Sequence, residues 1–260
     1  MLKELNDIST LLRQEWSDPL IKTTDGTVLT KKDVFQYYNN PIIRKKLLSH
    51  LQGKPTIVIQ SFAPGNDILR RNDDKGKEIK ISKPSGSVFD PSSLDYWIER
   101  RLSEAHVVMG KNTDIYVVDI DPKDNVPWEE TKDVTKQVSK ALDILPEVKN
   151  TNIYYSGGRG FHIIASLNKS IPIDKARENV KSILSYFGPM GYSTQEDSPI
   201  RLDLAPMKNK GSFRAPYSLN ASTGYVSIPV GKNELDDFEK SYASISHFNN
   251  PNLKFLPQRP

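Results

Sequence analysis

The stretch at residues 115–121 places the strongest constraint on how this chain folds. Residues 115–118 form the apolar, largely β-branched run Ile-Tyr-Val-Val, and such a run bounded by a proline is typical of a buried strand. The run ends in Asp119, Ile120 and Asp121, followed by Pro122. Because side chains alternate between the two faces of a strand, Asp119 and Asp121 point the same way and Ile120 points into the core. The segment therefore predicts a central strand that presents two carboxylates on one face.

Two carboxylates so close together repel each other by about 4 kcal/mol at an effective dielectric constant of about 20. They are stabilised by a cation or by a shared proton, and Mg²⁺ is a hard ion that takes oxygen ligands of this kind. An ordinary solvated strand end also fits, because Asp-x-Asp arises by chance about once in a chain with this much aspartate. The pair alone leaves both interpretations open.

Composition narrows the class of protein. The chain has 260 residues, of which 37% are hydrophobic and 26% are charged, and this length supports one large domain or two small ones. A net charge of +4 favours a polyanionic partner. The sequence contains no cysteine, which excludes disulfides, thiolate catalysis and cysteine-ligated zinc. It also has neither a signal-peptide core nor an apolar run near the length of a membrane span. We therefore expect a cytoplasmic protein with no membrane partner.

Helical and strand patterns alternate along the chain, which predicts an α+β fold with mixed or antiparallel β-sheets flanked by helices. Apolar spacing predicts helices over residues 5–12, 92–102, 134–145, 176–187 and 234–242. Thr30 and Asp33 have the spacing of a capping pair at the start of a further helix. Short strands are predicted at residues 56–62, 78–81, 152–155, 161–165, 200–204, 213–216 and 225–230. We expect a single domain over residues 1–245 and an extended C-terminal arm over residues 246–260.

A glycine-rich turn at residues 155–162 joins two of the predicted strands. Glycines such as Gly158 allow positive φ angles and let backbone N–H groups approach a ligand closely. Ser156, Arg159 and His162 add hydrogen-bond donors, and the guanidinium of Arg159 can bind a phosphate through two bonds. This combination suits a triphosphate, although His162 taken alone is more typical of a buried core histidine than of a ligand.

A third carboxylate, Asp203, lies between two leucines on a short apolar strand. A carboxylate on a buried face needs a partner, and two solutions are open. One is an ion pair with Arg201 or Arg214. The other places Asp203 beside Asp119 and Asp121, where three carboxylates would form a cradle for two cations.

Together these motifs resemble the archaeo-eukaryotic primase superfamily. The matching features are Asp-x-Asp, Ser-Gly-Gly-Arg-Gly-x-His, a lone aspartate on a hydrophobic strand, and Arg-x-Pro-x-Ser-Leu-Asn at residues 214–220. Their order and spacing agree over residues 31–230. Two branches of the superfamily compete. Residues 214–225 resemble the catalytic small subunit of archaeal primases, whereas residues 31–62 and 215–219 resemble the polymerase domain of bacterial non-homologous end-joining ligases.

The resemblance implies a primase–polymerase catalytic core that acts as a template-directed nucleotidyltransferase, in primer synthesis or in DNA repair and gap filling. Asp119, Asp121 and Asp203 would be the catalytic residues and would hold two Mg²⁺ or Mn²⁺ ions, without zinc. The nucleotide would be bound by Ser156, Gly158, Arg159, His162, Arg214, Ser218 and Asn220. The implied partners are a DNA template and primer, nucleoside triphosphates, and either a primase large subunit or a repair ligase.

The chain departs from the primase pattern in two places. Primase small subunits usually carry a zinc knuckle built with cysteines, and this chain has none. Asn220 stands where a primase usually has His and an end-joining polymerase usually has Arg, which makes Arg214 the candidate for that charge. End-joining polymerases also recognise a 5′-phosphate through basic residues in the N-terminal region, where this chain has Lys22, Lys31, Lys32 and Lys54.

Two other functional classes are alternatives to a polymerase. A non-catalytic nucleic-acid-binding subunit of a primase or repair complex would retain the fold without needing the carboxylates, but all three aspartates are present. A metal-dependent phosphohydrolase needs a group that activates water, and no pair of histidines is placed to do so.

Overall fold

Two antiparallel β-sheets form the framework of the computed structural model, which describes residues 19–22, 26–59, 70–72, 78–80, 83–85, 91–99 and 102–249. The strands are β1 (Pro19–Lys22), β2 (Val28–Thr30), β3 (Thr56–Ile59), β4 (Arg70–Asn72), β5 (Glu78–Lys80), β6 (Lys83–Ser85), β7 (Glu104–Val108), β8 (Asn112–Pro122), β9 (Val148–Tyr155), β10 (Phe161–Pro172), β11 (Ile200–Asp203), β12 (Ser212–Arg214) and β13 (Ile228–Val230). The helices are α1 (Lys31–Asn39), α2 (Pro41–Leu51), α3 (Pro91–Glu99), α4 (Trp128–Asp143), α5 (Ile173–Leu184) and α6 (Ile245–Asn249), with 3₁₀ turns at Ser185–Met190 and Lys240–Ala243.

The larger sheet has the strand order β11-β8-β10-β9-β13, and every neighbouring pair is antiparallel. Its long strand β8 contains the apolar run, and Val117, Val118 and Ile120 are fully buried. Helices α4 and α5 pack against this sheet, where the indole of Trp128 stacks on Phe161 with ring centroids 5.0 Å apart. Because side chains alternate along β10, the residue after Phe161 lies on the opposite face of the sheet.

The smaller sheet has the order β12-β7-β3-β6, and helices α1, α2 and α3 pack against one another. The hydroxyl of Tyr38 on α1 donates to the carbonyl of Ser103 at 2.6 Å and accepts the N–H of Leu219 at 2.9 Å. One buried tyrosine therefore connects helix α1 to the start of β7 and to the segment after β12. Helix α6 packs on α1, with Phe248 against Tyr37.

The predicted α+β class with helix-flanked antiparallel sheets is confirmed, and several local predictions hold in detail. Thr30 and Asp33 form a complete capping box, in which Thr30 Oγ1 accepts the Asp33 N–H and Asp33 Oδ2 accepts the Thr30 N–H. Strand β5 pairs with β4 as a hairpin. Helices α4 and α5 occur where apolar spacing predicted them, although α4 ends at Asp143 and α5 ends at Leu184 and continues as a 3₁₀ turn.

The helix predicted over residues 234–242 is wrong. That segment is mostly turns, and only Lys240–Ala243 forms a 3₁₀ turn. Its polar groups bind elsewhere: Glu234 accepts the N–H of Gly231, and Asp236 binds Lys136 on α4. Local and tertiary contacts of this kind compete with helical hydrogen bonding.

At the C-terminus, residues 245–249 are helical where an extended arm was predicted from residue 246. Ile245 is fully buried, and burial of this apolar residue stabilises the short helix. Residues 250–260, and the helix predicted over residues 5–12, lie outside the described residues. The division of the chain at residue 245 stays a prediction. Among the described helices, none combines the length and the apolar character needed to cross a membrane.

Candidate active site

Three residues singled out from the sequence lie in one row across the larger sheet. The strand register pairs Asp203 on β11 with Asp119 on β8, and Asp119 with His162 on β10. Side chains that face each other in an antiparallel pair have Cβ atoms about 4.5–5.5 Å apart. The Nε2 atom of His162 lies 3.7 Å from Asp119 Oδ1. The row thus brings together two carboxylates and an imidazole from three neighbouring strands.

Two arginines contact the carboxylates beside this row. Arg201 lies in register with Asp121, and its Nη2 is 2.9 Å from Asp203 Oδ2 and 3.4 Å from Asp121 Oδ2. The Nη2 of Arg159 lies 2.8 Å from Asp121 Oδ1. Asp203 therefore forms an ion pair with Arg201 and also lies beside Asp119. The sequence had left these two arrangements as alternatives.

Ionisation of the Asp119 carboxyl is unfavourable in this cluster. Its burial and the nearby charges of Asp121 and Asp203 raise its pKa to about 7, against the opposing effect of Arg214 and Arg201. Even so, 32% of the side chain is accessible to solvent, so a ligand can reach it. A carboxylate with a raised pKa gains from a nearby cation.

The oxygen donors of Asp119, Asp121 and Asp203 fit a hard divalent ion such as Mg²⁺ or Mn²⁺. In the part of the chain that the structure describes, no three His, Cys, Asp or Glu side chains form a ready-made metal site. In this structure the guanidinium of Arg201 bridges two of the three carboxylates, those of Asp121 and Asp203.

His162 is a buried, neutral imidazole. Desolvation, together with the positive charge of Arg214 and repulsion from nearby His106 when that ring is protonated, lowers its pKa to about 3. Its Nδ1 atom is buried without a hydrogen-bond partner, and buried polar atoms are rarely left in that state. One ring nitrogen, Nε2, therefore faces Asp119, and the other has no hydrogen-bond partner in the structure.

The glycine-rich turn packs directly onto the Asp-x-Asp strand. A Cβ atom at Gly160 would lie 1.8 Å from the carbonyl oxygen of Ile120, so only glycine fits there. Gly157 has a φ of +76°, a conformation that also favours glycine. Within the turn, Ser156 Oγ accepts the N–H of Gly158 at 3.2 Å. These contacts place the predicted phosphate-binding turn at the edge of the carboxylate row.

Arg214 reaches the site from the smaller sheet. It lies on β12 in register with His106 on β7, and its Nη1 donates to the carbonyl of Ser156 at 2.9 Å. Its charge acts on both His162 and Asp119. The site therefore lies between the two sheets, with carboxylates on one side and a guanidinium on the other.

Two residues of the site, Glu104 and His106 on β7, were missed from the sequence. Glu104 on β7 is fully buried and accepts from Arg214 Nη2 and pairs with His106 Nε2, each at 3.0 Å. The available signal was the pattern Glu-x-His on a short strand, which places both side chains on one face.

The predicted nucleotide ligands Ser218 and Asn220 differ in their placement. Ser218 is fully buried and its Oγ accepts the N–H of Ala105 at 2.7 Å. Its hydroxyl joins two backbone segments, and its role as a nucleotide ligand stays a prediction. The amide of Asn220 packs against Gly158 in the turn.

Comparisons with known proteins identify the family of the chain. The family model described as the LigD primase-polymerase domain matches residues 30–251. The multifunctional non-homologous end joining protein LigD of Pseudomonas aeruginosa is 28% identical over 155 residues, which are 56% of this chain and 17% of that protein. The chain thus spans about a sixth of the length of that relative.

Two solved structures are also similar. The polymerase domain from Mycobacterium tuberculosis ligase D, in complex with DNA, superposes with a TM-score of 0.66 at 20% identity, covering 89% of this chain and 92% of that one. The cyanophage S-2L primase-polymerase domain superposes with a TM-score of 0.44 at 14% identity, covering 73% and 90%. The predicted resemblance is confirmed: this chain belongs to the LigD primase-polymerase domain family.

Proposed function

We propose that this protein is a DNA-directed nucleotidyltransferase that adds nucleotides to a 3′-hydroxyl on a DNA template during end joining and gap filling. The observation that carries the proposal is the row of Asp203, Asp119 and His162, which faces Arg214 and adjoins the glycine-rich turn. Family membership supports it, as do the end-joining name of the Pseudomonas relative and the DNA in the mycobacterial structure. A ligase or a primase large subunit as a partner belongs to the same proposal.

In this proposal Asp119, Asp121 and Asp203 hold two Mg²⁺ or Mn²⁺ ions, in exchange for their present contacts with Arg159 and Arg201. Such ions, when bound, lower the pKa of the attacking hydroxyl and neutralise charge on the triphosphate and the leaving pyrophosphate. The fixed strand register keeps the carboxylates in place without a loop rearrangement.

The triphosphate is held by Ser156, Arg159, His162 and Arg214. Arg159 is 53% exposed at the mouth of the site and supplies a charge-assisted contact to phosphate oxygens. Arg214 and the neutral ring of His162 supply donors that are more buried than Arg159. Gly158 and Asn220 shape the turn around the same ligand. Catalysis by such a site rests on positioning and electrostatic stabilisation.

A nucleotide-incorporation assay on unprimed, primed and gapped templates tests the proposal. We expect Mn²⁺-dependent extension of primed and gapped DNA by the wild-type protein, and none by Asp119→Asn. The matched control is Asp114→Asn, an exposed aspartate on the same strand β8, which should retain activity. DNA binding without incorporation would instead indicate the non-catalytic subunit, and dinucleotide synthesis on unprimed template would indicate a primase.

A further inference from the structure

The carboxylate of Glu104 is the buried centre of a small polar network. It has no solvent exposure, and three donors from different segments converge on it. Its Oε2 lies 3.0 Å from Arg214 Nη2 and 3.0 Å from His106 Nε2, and its Oε1 accepts the N–H of Ala221 at 3.0 Å. A buried charge is tolerated only with partners of this kind.

Two chains of contacts lead from Glu104 to the glycine-rich turn. In the first, Arg214 Nη2 binds Glu104 while Nη1 donates to the carbonyl of Ser156. In the second, the loop that contains Ala221 reaches the turn, because the Thr223 hydroxyl donates to the carbonyl of Gly157. The same carboxylate therefore supports the turn through a side chain and through a loop.

We infer that Glu104 is a positioning residue of the nucleotide site, which it serves by fixing the orientation of Arg214 and His106. The inference rests on the proposed function. An ionised carboxylate only accepts hydrogen bonds, so Nη2 of Arg214 and Nε2 of His106 must both carry the hydrogen in these contacts. Glu104 thereby sets which nitrogen of His106 is protonated and keeps the guanidinium plane of Arg214 constant.

In this orientation of the Arg214 guanidinium, one of its N–H donors remains available to a ligand. Its Nε is buried without a hydrogen-bond partner, and the Nδ1 of nearby His162 is in the same state. Anionic phosphate oxygens satisfy guanidinium donors through charge-assisted bonds. Stability alone does not account for the charged pair, because apolar replacements of buried ion pairs are often equally stable.

The test compares nucleotide binding by the wild-type protein, Glu104→Gln and a matched control. The amide keeps the shape of Glu104 but turns an N–H₂ donor toward Arg214 or His106, which disturbs their orientation. We expect the dissociation constant for a nucleoside triphosphate with Mn²⁺ to rise by about tenfold or more, with unchanged affinity for DNA. The control is Glu147→Gln, whose carboxylate accepts from Tyr116 in a different network, and its nucleotide affinity should stay within about twofold of wild type.

Equal nucleotide affinity of wild type and Glu104→Gln would overturn the inference and leave the proposed function standing. Absence of nucleotide binding by the wild-type protein would remove both. A measurement on the wild type keeps the test decisive if Glu104→Gln does not fold. Nitrogen NMR of His106 should show a hydrogen fixed on Nε2, and a ring protonated only on Nδ1 would contradict the inference.

Discussion

Asp203 lies directly opposite Asp119 on neighbouring antiparallel strands. Strand register keeps the two backbones side by side as long as the sheet is intact. Burial raises the pKa of Asp119, and the nearby charges of Asp121 and Asp203 raise it further. A site that must capture cations gains from such an arrangement, since the repulsion is relieved only when positive charge is present.

Replacing Asp119 by Asn should stabilise the metal-free protein at high pH. The pKa of Asp119 is raised from 3.8 to about 7 in the folded state, so the wild type loses stability as the pH rises through this window. We expect Asp119→Asn to be more stable by about 2 kcal/mol at pH 8, after discounting for partial exposure, and equal at pH 3. Chemical denaturation in EDTA measures the difference, and Asp114→Asn should show none. Equal stability of wild type and Asp119→Asn at pH 8 would mean that ionisation of Asp119 does not destabilise the folded protein.

Removing Asp121 should abolish nucleotide incorporation without unfolding the protein. We expect Asp121→Ala to lose about a thousandfold or more in kcat, because a proposed metal ligand is missing. Its thermal unfolding should change little, since two arginines lose one partner each and a repulsion disappears. Activity within a few-fold of wild type would exclude Asp121 as a ligand.

Truncating Arg159 should weaken nucleotide binding while DNA affinity stays nearly constant. The charge-assisted contact to phosphate predicts a loss of about tenfold in affinity for Arg159→Ala. Arg44→Ala is the control, because Arg44 forms an ion pair with Asp95 away from the site. Fluorescence titrations with a labelled nucleotide and with labelled DNA separate the two ligands. Lost DNA binding with intact nucleotide affinity would reassign the turn to the template.

His162 should make stability fall as the solution becomes acidic. Its pKa is lowered from 6.5 to about 3, so the unfolded chain binds an extra proton between these values and stability rises with pH across the window. Between pH 7 and pH 3 this group costs up to about 4 kcal/mol. In His162→Gln that contribution disappears, and the stability curve of the variant should be flatter on the acid side. Urea denaturation at each pH gives both curves, and curves of equal slope would contradict the burial of a neutral ring.

A 5′-phosphate at the downstream side of a gap should speed filling by about tenfold over a 5′-hydroxyl, if basic residues near the N-terminus bind it. Lys32 and Lys54 are exposed candidates, and the double variant Lys32→Gln/Lys54→Gln should reduce the difference. Lys149→Gln, an exposed lysine on β9, serves as the control. Equal rates on the two gaps would favour the primase branch.

Local patterns were sufficient for much of the fold. The capping box of Thr30 and Asp33 and the strand that contains Asp119 and Asp121 follow from residue spacing alone. The arrangement of the site could not be predicted from local patterns. Asp203 meets Asp119 only through a strand register that such patterns do not specify. Glu104 was missed because an acidic residue on a short strand usually indicates solvent exposure. The contact of the Ser218 hydroxyl could not be predicted either, because its partner Ala105 lies 113 positions away in the chain.

Gly160 has a consequence for how this protein tolerates change. Since no side chain separates its backbone from the carbonyl of Ile120, the spacing between turn and strand is set by main-chain contact. Repacking of the surrounding core leaves that spacing untouched. A single added methyl group at residue 160 would act as a wedge, moving the glycine-rich turn away from the carboxylates while every chemical group of the site remained present.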